Sequence, residues 1–302
     1  MKKLVVVILN WNGLADLRTL LPKLEACRSP AGWMVEVLVV DNGSTDGSVE
    51  ALGRDFPTID VLALPENRRF AGGNNQGLRR ALGAGADAVL LLNNDTEPDE
   101  RLLEHLVLAL ERDPKAGAAA PLIYFQAPSR RIWYGGGRCV PALGLVAHRA
   151  LRAQDRGQFR QVETTGYLTG CCLLARREAW ERVGLLDERY HIYAEDADWC
   201  LRARAAGYRL LFVPEARLWH KVSASSGASS PWKIYQRARA NLTLFARHAR
   251  GPGRLTWLPA FLAQQGILWA WLLLRGQPAA ALALPRALWD WALGRSEAEA
   301  RW

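Results

Sequence analysis

Three carboxylates fall within four residues at Glu195-Asp196-Ala197-Asp198, and His220 follows Arg202 by eighteen residues in the run Leu218-Trp219-His220. A second acidic turn, Leu92-Asn93-Asn94-Asp95-Thr96, closes an apolar run far upstream. Carboxylate and imidazole together hold divalent cations, and a carboxylate crowded by others suits a general base. Two such sites, remote in sequence, predict one metal-and-base centre assembled by a parallel α/β sheet.

The elements that would position them are legible as short Val/Ile/Leu runs at 4–9, 35–40, 60–64 and 88–92, each reading as a strand buried on both faces. Helix-like segments at 14–26, 48–55 and 74–82 separate them, so the first hundred residues read as a doubly wound nucleotide-binding half. Ligands in such sheets bind beyond the carboxyl ends of the strands, where Asn10-Trp11-Asn12-Gly13, Asp41-Asn42-Gly43-Ser44 and Asn93-Asn94-Asp95 fall. A helix is predicted over 98–113, loop and hairpin over 128–157, and a strand over 166–175. A short helix over 177–183, a helix over 196–206 and a last strand over 210–213 ending at Pro214 follow. The run 223–230 (Ser-Ala-Ser-Ser-Gly-Ala-Ser-Ser) is low in complexity and reads as mobile.

At 302 residues, 50% hydrophobic and 23% charged, the chain has room for one large domain and an appendage, or for two modest domains. Its five cysteines form no CxxC pair, which argues against a zinc ribbon, a redox motif or a disulfide framework. Met1-Lys2-Lys3 looks like the start of a signal peptide, but the apolar run after it is short and ends at Asn10-Trp11-Asn12-Gly13 without a cleavage site. A first strand is the reading adopted. Most of the net charge of +9 sits after residue 227, where ten Lys and Arg face only Asp290, Glu297 and Glu299. The same tail holds seven of the thirteen tryptophans. A basic helix over 232–250, a largely apolar stretch over 255–274 interrupted by Pro259, Gln264 and Gln265, and an amphipathic piece over 279–293 predict helices lying in a membrane interface. An anionic membrane surface is the expected partner, not nucleic acid.

Taken in order, the pieces resemble the family 2 glycosyltransferases, particularly the rhamnosyltransferase-like branch that builds bacterial surface glycans. They are Val6-Val7-Ile8-Leu9-Asn10-Trp11-Asn12-Gly13, Val39-Val40-Asp41-Asn42-Gly43-Ser44, Glu66-Asn67-Arg68-Arg69-Phe70-Ala71-Gly72-Gly73-Asn74-Asn75, Leu92-Asn93-Asn94-Asp95, Gly170-Cys171-Cys172, Gly184-Leu185-Leu186-Asp187, Glu195-Asp196-Ala197-Asp198 and Trp219-His220. The resemblance implies a GT-A fold, a divalent metal and inversion at the anomeric carbon. The expected division is a catalytic domain over 1–226 and the basic, tryptophan-rich, membrane-interfacial tail over 227–302. Two departures stand out. The family often has Gly where Arg69 stands, and the Arg-Asn of the branch's basic helix is Ala240-Asn241 here.

Carried onto this chain, the resemblance makes Asp41 the acceptor for a uracil or thymine N–H, against the simpler reading of an Asx turn. Asn10, Asn12, Asn74 and Asn94 would line the nucleotide site, and Arg68 and Arg69 beside Gly72-Gly73 would approach the diphosphate. Asp95 would ligate Mg²⁺ or Mn²⁺, alone of its turn in carrying charge since Asn93 and Asn94 replace the usual acid, and His220 would complete the shell. Asp196 would be the catalytic base with Glu195 positioning acceptor or loop, while Asp198 would pair with Arg202 one turn on. Against these stand an N-cap for Asp95, a structural His220, and an acidic helix start that suits the macrodipole at 195–196. Thr45 and Asp46 read as helix-capping residues, and Trp133 and Tyr134 as a platform for an acceptor sugar. No GxGxxG follows the first strand and no Gly-Lys-Ser/Thr follows the glycine pair, which argues against dinucleotide and P-loop sites.

The expected activity is transfer of rhamnose or a hexose from a dTDP- or UDP-sugar to a glycan or lipid-linked acceptor, at the cytoplasmic face of the membrane. A catalytically silent nucleotide-sugar-binding scaffold is the second reading. A processive synthase is disfavoured because Gln236-Arg237-Ala238-Arg239-Ala240 lacks the Trp of a Gln-x-x-Arg-Trp motif.

Overall fold

The computed structural model describes residues 1–222 and 230–295. Most of the Ser/Ala run beginning at Ser223, read above as mobile, and Trp302 lie outside the described residues. The first half alternates as the apolar runs require: β1 (Lys2–Asn10), α1 (Leu14–Glu25), β2 (Trp33–Asp41), α2 (Ser48–Asp55), β3 (Asp60–Ala63), α3 (Arg69–Gly83) and β4 (Ala88–Asn93). Leu4, Val6, Val7 and Ile8 of β1 and Val89 and Leu90 of β4 are wholly buried, because helices cover both faces of these parallel strands. The spatial order β3-β2-β1-β4 reverses direction at β1, which opens a crevice at the strand ends. The register aligns Asn10 with Asp41 and Leu9 with Asn93, so three candidate turns leave the sheet side by side.

α3 begins five residues before the predicted 74–82 helix, despite Gly72 and Gly73. A β-carbon on Gly73 would lie 2.4 Å from Leu9 Cδ1, so the bare backbone lets α3 seat directly on β1. Packing overrides the low helix propensity of glycine here.

The second half follows as β5 (Thr96–Pro98), α4 (Leu102–Arg112), β6 (Ala116–Phe125), β7 (Ile132–Tyr134), β8 (Gly137–Val140), β9 (Leu145–His148), β10 (Glu163–Thr164), β11 (Cys172–Arg176), α5 (Arg177–Val183), α6 (Glu195–Ala205) and β12 (Arg209–His220). Among the described residues one ten-stranded sheet runs β10-β12-β6-β11-β4-β1-β2-β3, with β5 on β12 and β7 on β6. Antiparallel β11, inserted between β4 and β6, makes the sheet mixed. The hairpin expected in 128–157 is β8–β9.

Two strand boundaries and one helix boundary differ from expectation. β12 does not stop at Pro214: it bulges between Val213 and Arg217 against β6, then resumes pairing through His220. Proline lacks a ladder N–H and is tolerated at such a bulge. The strand predicted over 166–175 starts only at Cys172, because the N–H of Gly170 is committed to a side chain instead of a ladder. The helix predicted from Pro98 starts at Leu102, since residues 96–98 pair with β12 as a strand.

The tail forms α7 (Pro231–His248), α8 (Gly253–Leu274) and α9 (Pro278–Ala292). Leu242, Leu244 and Phe245 of α7 and Trp257 and Phe261 of α8 belong to the same hydrophobic core as the sheet. α8 stays helical through Pro259 and is, among the described residues, the one helix long and apolar enough to cross a membrane. Its outer face leaves Leu255, Ile267 and Leu274 more than 70% exposed.

Candidate active site

At the strand ends a carboxamide network locks the turns together. Asn10, wholly buried, donates through Nδ2 to Asp41 Oδ2 at 3.0 Å and accepts at Oδ1 from Asn94 Nδ2 at 2.9 Å. Asp41 Oδ1 accepts the Ser44 N–H at 2.9 Å, so the Asx turn is formed. Two of the roughly four acceptor directions of the Asp41 carboxylate remain for another donor. Asn12, in the left-handed region at φ 52°, accepts the Thr45 N–H at 2.7 Å. Asp46 accepts the N–H groups of Leu14 and Ser48, the first residues of α1 and α2, as its capping role requires. Asn74 is buried and donates back to the Phe70 carbonyl within α3.

Asp95 and His220 meet because β5 pairs with the end of β12, placing Thr96 opposite His220. Asp95 Oδ1 lies 3.1 Å from His220 Nε2, with both side chains largely buried. Burial alone would raise the Asp95 carboxyl, but the His220 hydrogen bond and charge hold it below its ordinary value. An octahedral ion with bonds of about 2.1 Å keeps neighbouring ligand atoms about 3 Å apart, so the pair fits two adjacent positions on one cation. Among the described residues no third His, Cys, Asp or Glu joins them, so the pair would leave positions open for phosphate oxygens and water. His220 Nδ1 is buried and without a hydrogen-bond partner, and Trp133 stands edge-on against the imidazole at 4.6 Å.

Asp196 is held by the turn before β11. Its Oδ2 accepts the Gly170 N–H at 2.8 Å and the Tyr167 hydroxyl at 3.0 Å. Among the described residues its Oδ1 accepts only the adjacent Ala197 N–H, at 2.7 Å. The same turn reaches β4, where the Cys171 carbonyl accepts the Asn93 N–H at 2.9 Å. One tight segment therefore touches both the end of β4, two residues before Asp95, and the candidate base. A β-carbon on Gly170 would press on the Phe70 ring at 3.2 Å and on Asp196 Cβ at 3.4 Å. Burial raises both carboxyl groups of the Glu195-Asp196 pair, and the Asp196 charge lifts Glu195 further. Glu195 Oε2 is buried without a partner among the described residues. Ahead of the pair, Tyr193 and Ala194 both take left-handed backbone, at φ 71° and 69°, a strained entry into α6.

Asp198 pairs with Arg202 at 2.7 Å as the spacing predicts, and it is fully buried. It also receives His248 Nε2 at 2.7 Å and Arg247 at 3.2 Å from α7, contacts that spacing alone does not show. Arg68 and Arg69 are exposed on a turn pinned by Asn42, whose Oδ1 accepts the Arg68 N–H and whose Nδ2 donates to the Arg69 carbonyl. Arg69 sits at φ 63°, where glycine is at ease, which accounts physically for the glycine often found there. Tyr134 is not a sugar platform: it is wholly buried, its hydroxyl donating to the Tyr167 carbonyl, because β7 turns it into the core. Trp133 packs between His148 and His220. Sequence reasoning missed Tyr167, Asn42 and Asn75; the last ties α3 to the Leu186 backbone and to Glu188.

A doubly wound strand-end crevice, an acidic turn paired with a histidine and a carboxylate at a helix start are the parts expected of a GT-A-type sugar-transfer enzyme. The family model for glycosyl transferase family 2 matches residues 6–184, and the chain belongs to that family. The chain is 32% identical over 213 residues to the N-acetylglucosaminyl-diphospho-decaprenol L-rhamnosyltransferase of Mycobacterium tuberculosis, covering 64% of this chain and 68% of that one. It is 22% identical over 220 residues to the dTDP-rhamnosyl transferase RfbF of Shigella flexneri, covering 70% and 71%. Among solved structures, the mannosyltransferase PcManGT of Pyrobaculum calidifontis, in complex with GDP-Man and Mn²⁺, superposes with a TM-score of 0.61 at 19% identity. That superposition covers 97% of this chain and 88% of that one. GalNAc-T7 with UDP, GalNAc and Mn²⁺ superposes at 0.60 with 17% identity, over 81% of this chain and about half (47%) of that one.

Proposed function

We propose that this glycosyltransferase is inverting and metal-dependent, moving rhamnose or a hexose from a dTDP- or UDP-sugar to a lipid-linked glycan at the cytoplasmic membrane face. The observation that carries the reading is the Gly170-Cys171 turn, which links the end of β4, just ahead of Asp95, to the Asp196 carboxylate. The rhamnosyltransferase relatives support the donor and the lipid-linked acceptor.

Asp41 takes the pyrimidine N–H on its remaining acceptor directions, and Asn10, Asn12 and Asn94 hold the turns that shape that pocket. Arg68 and Arg69 offer positive charge to the diphosphate. Asp95 and His220 would hold Mg²⁺ or Mn²⁺, which when bound neutralises charge growing on the departing nucleoside diphosphate. Asp196 Oδ1, carrying one short internal hydrogen bond, accepts the proton of the acceptor hydroxyl. The freed oxygen bonds to the anomeric carbon as the bond to the diphosphate breaks on the opposite face. Gly170 and Tyr167 fix the other oxygen, so the base is oriented before the acceptor arrives. The exposed apolar residues of α8, with Trp269, Trp271 and Trp289 at 43%, 45% and 62% exposure, lie in the membrane interface.

The test is Asp196→Asn, assayed for transfer from radiolabelled dTDP- and UDP-sugars into a lipid extract, alongside thermal stabilisation by each donor with and without Mn²⁺. Transfer falls by at least about 10³-fold while Mn²⁺-dependent donor stabilisation persists. Transfer near the wild-type rate removes Asp196 as base, and stabilisation indifferent to Mn²⁺ removes the metal from the reading.

A further inference from the structure

His148 ends β9, opposite Gly137 of β8 in the hairpin. Three rings pack against its imidazole. Trp133 lies edge-on at 4.6 Å between centroids, Tyr134 edge-on at 5.1 Å, and Tyr167 nearly parallel at 5.8 Å with 26° between the planes. Nδ1 donates to the Trp133 carbonyl at 3.1 Å, since a carbonyl only accepts, and this bond fixes the rotation of the ring. Burial pushes the imidazole down to about 4, outweighing that bond, and the charges of Arg237 and His220 act with burial. His148 is thus a neutral ring and a hydrogen-bond donor, not a proton carrier.

Two of its neighbours reach the candidate site. Trp133 stands edge-on against His220 at 4.6 Å, and His220 Nε2 lies 3.1 Å from Asp95. Tyr167 donates its hydroxyl to Asp196 Oδ2 at 3.0 Å. The third neighbour, Tyr134, donates to the Tyr167 carbonyl and holds that residue in place. Gly137 meets Tyr167 across an isolated bridge, and a β-carbon on Gly137 would lie 2.3 Å from Tyr167 Cδ1. The hairpin therefore bears on Tyr167 from both Gly137 and His148. A continuous series of side chains runs from Asp95 through His220, Trp133, His148 and Tyr167 to Asp196. It is separate from the backbone link through Gly170 and Cys171.

A cluster of rings in a core is ordinarily packing alone. This one ends on two groups whose separation the transfer reaction depends on. In-line displacement needs the base, the acceptor oxygen, the anomeric carbon and the leaving oxygen aligned, and an error of about 1 Å costs about 10²-fold. We propose that His148 is a positioning residue for the reaction, setting the spacing between the Asp95–His220 pair and the Asp196 carboxylate by holding Trp133 against the one and Tyr167 against the other. This rests on the roles given to Asp95, His220 and Asp196 under the proposed function.

The test compares His148→Leu with His148→Phe. Both keep apolar bulk in the cluster and both leave the Trp133 carbonyl without its donor, so the flat ring is what distinguishes them. Radiolabelled dTDP-rhamnose or UDP-glucose, whichever wild type uses, is held saturating over a fixed lipid extract, and the maximal rate is followed against pH. Without acceptor, the Mn²⁺ concentration giving half-maximal thermal stabilisation by the same donor is measured. His148→Leu lowers the rate by about tenfold or more and raises the Mn²⁺ requirement by about threefold or more. The Tyr167 hydroxyl favours the Asp196 anion, so its displacement also moves the acid limb of the rate profile to higher pH, by about half a unit or more. Glu195 stands beside Asp196 in every variant, so its charge is common to all. Tyr167→Phe moves the limb the same way, and adding His148→Leu moves it no further. His148→Phe, which restores the ring, brings rate and Mn²⁺ requirement back to within about threefold of wild type and returns the limb.

A leucine variant that only melts lower, with rate, limb and Mn²⁺ requirement unchanged, overturns the proposal, as does movement at one end of the series without the other. Should the leucine variant not fold, the phenylalanine variant decides: either readout displaced overturns the proposal, and both retained upholds the ring as the spacer. Wild-type stabilisation indifferent to Mn²⁺, or undiminished transfer by Asp196→Asn, defeats the underlying roles, whereas failure at His148 alone leaves them standing.

Discussion

Glu195 and Asp196 stand next to each other in a poorly solvated site, and each is disfavoured as an anion by burial. Because the folded-state pKa of Glu195 is raised, its stabilising contribution is complete below the unfolded value and is lost as pH rises through the folded value. Glu195→Gln therefore stabilises the fold at pH 8 by about 1 kcal/mol or more, or about 2–4 °C in Tm, and by much less at pH 5. Thermal melts at the two pH values measure this; an equal shift at both removes the buried charge as the cause. Asp95, His220 and Asp196 could be picked from the sequence because carboxylate and imidazole are rare in apolar surroundings unless they act or pair. Tyr167 and Gly170 could not, since a tyrosine in a core and a glycine in a turn are ordinary. Only their contacts with Asp196, across 29 and 26 residues of chain, set them apart.

α7 is tied to α6 by charge as well as by packing. His248 and Arg247 both reach the buried Asp198, and Arg247 also bonds Asp187. Burial alone would raise the Asp198 carboxyl, but His248, Arg202 and Arg247 hold it below its ordinary value. Its contribution is thus present above the unfolded pKa and lost as pH falls through the folded one. His248→Ala destabilises the fold by about 1–3 kcal/mol at pH 7. Urea denaturation at pH 7 and again at about pH 3, below the ordinary carboxylate value, shows the gap narrowing on acidification; a constant gap means that the imidazole acts through packing alone. The alternation of strands and helices in the first hundred residues followed from apolar runs with helix-length spacing. The second half was less legible, because a mixed sheet orders its strands by long-range pairing. Pro214 reads locally as a stop, and only the partner strand β6 shows that β12 continues past it.

Across the whole molecule, the membrane attachment proposed above draws on the net charge of +9, which suits attraction to an anionic bilayer, and on the exposed apolar residues of α8 and α9, which suit insertion into it. Removing the tail from residue 256 onward would pull Trp257 and Phe261 out of the core, so point changes on the outer face separate binding from folding. Ile267→Asp with Leu274→Asp lowers co-flotation with phosphatidylglycerol vesicles by about tenfold and leaves Tm within about 2 °C. Undiminished flotation places the contact elsewhere. Composition marked the tail as basic and tryptophan-rich, but not its sharing of a core with the sheet, since burial depends on a partner surface that one segment does not contain. The bulge in β12 carries a consequence for how such a chain can diverge. Side chains alternate along a strand, so a single residue gained or lost between Val213 and Arg217 would turn His220 from Asp95 to the opposite face. The exposed Glu215 can change its side chain at little cost, whereas the length of the segment is held fixed by the Asp95–His220 pairing beyond it.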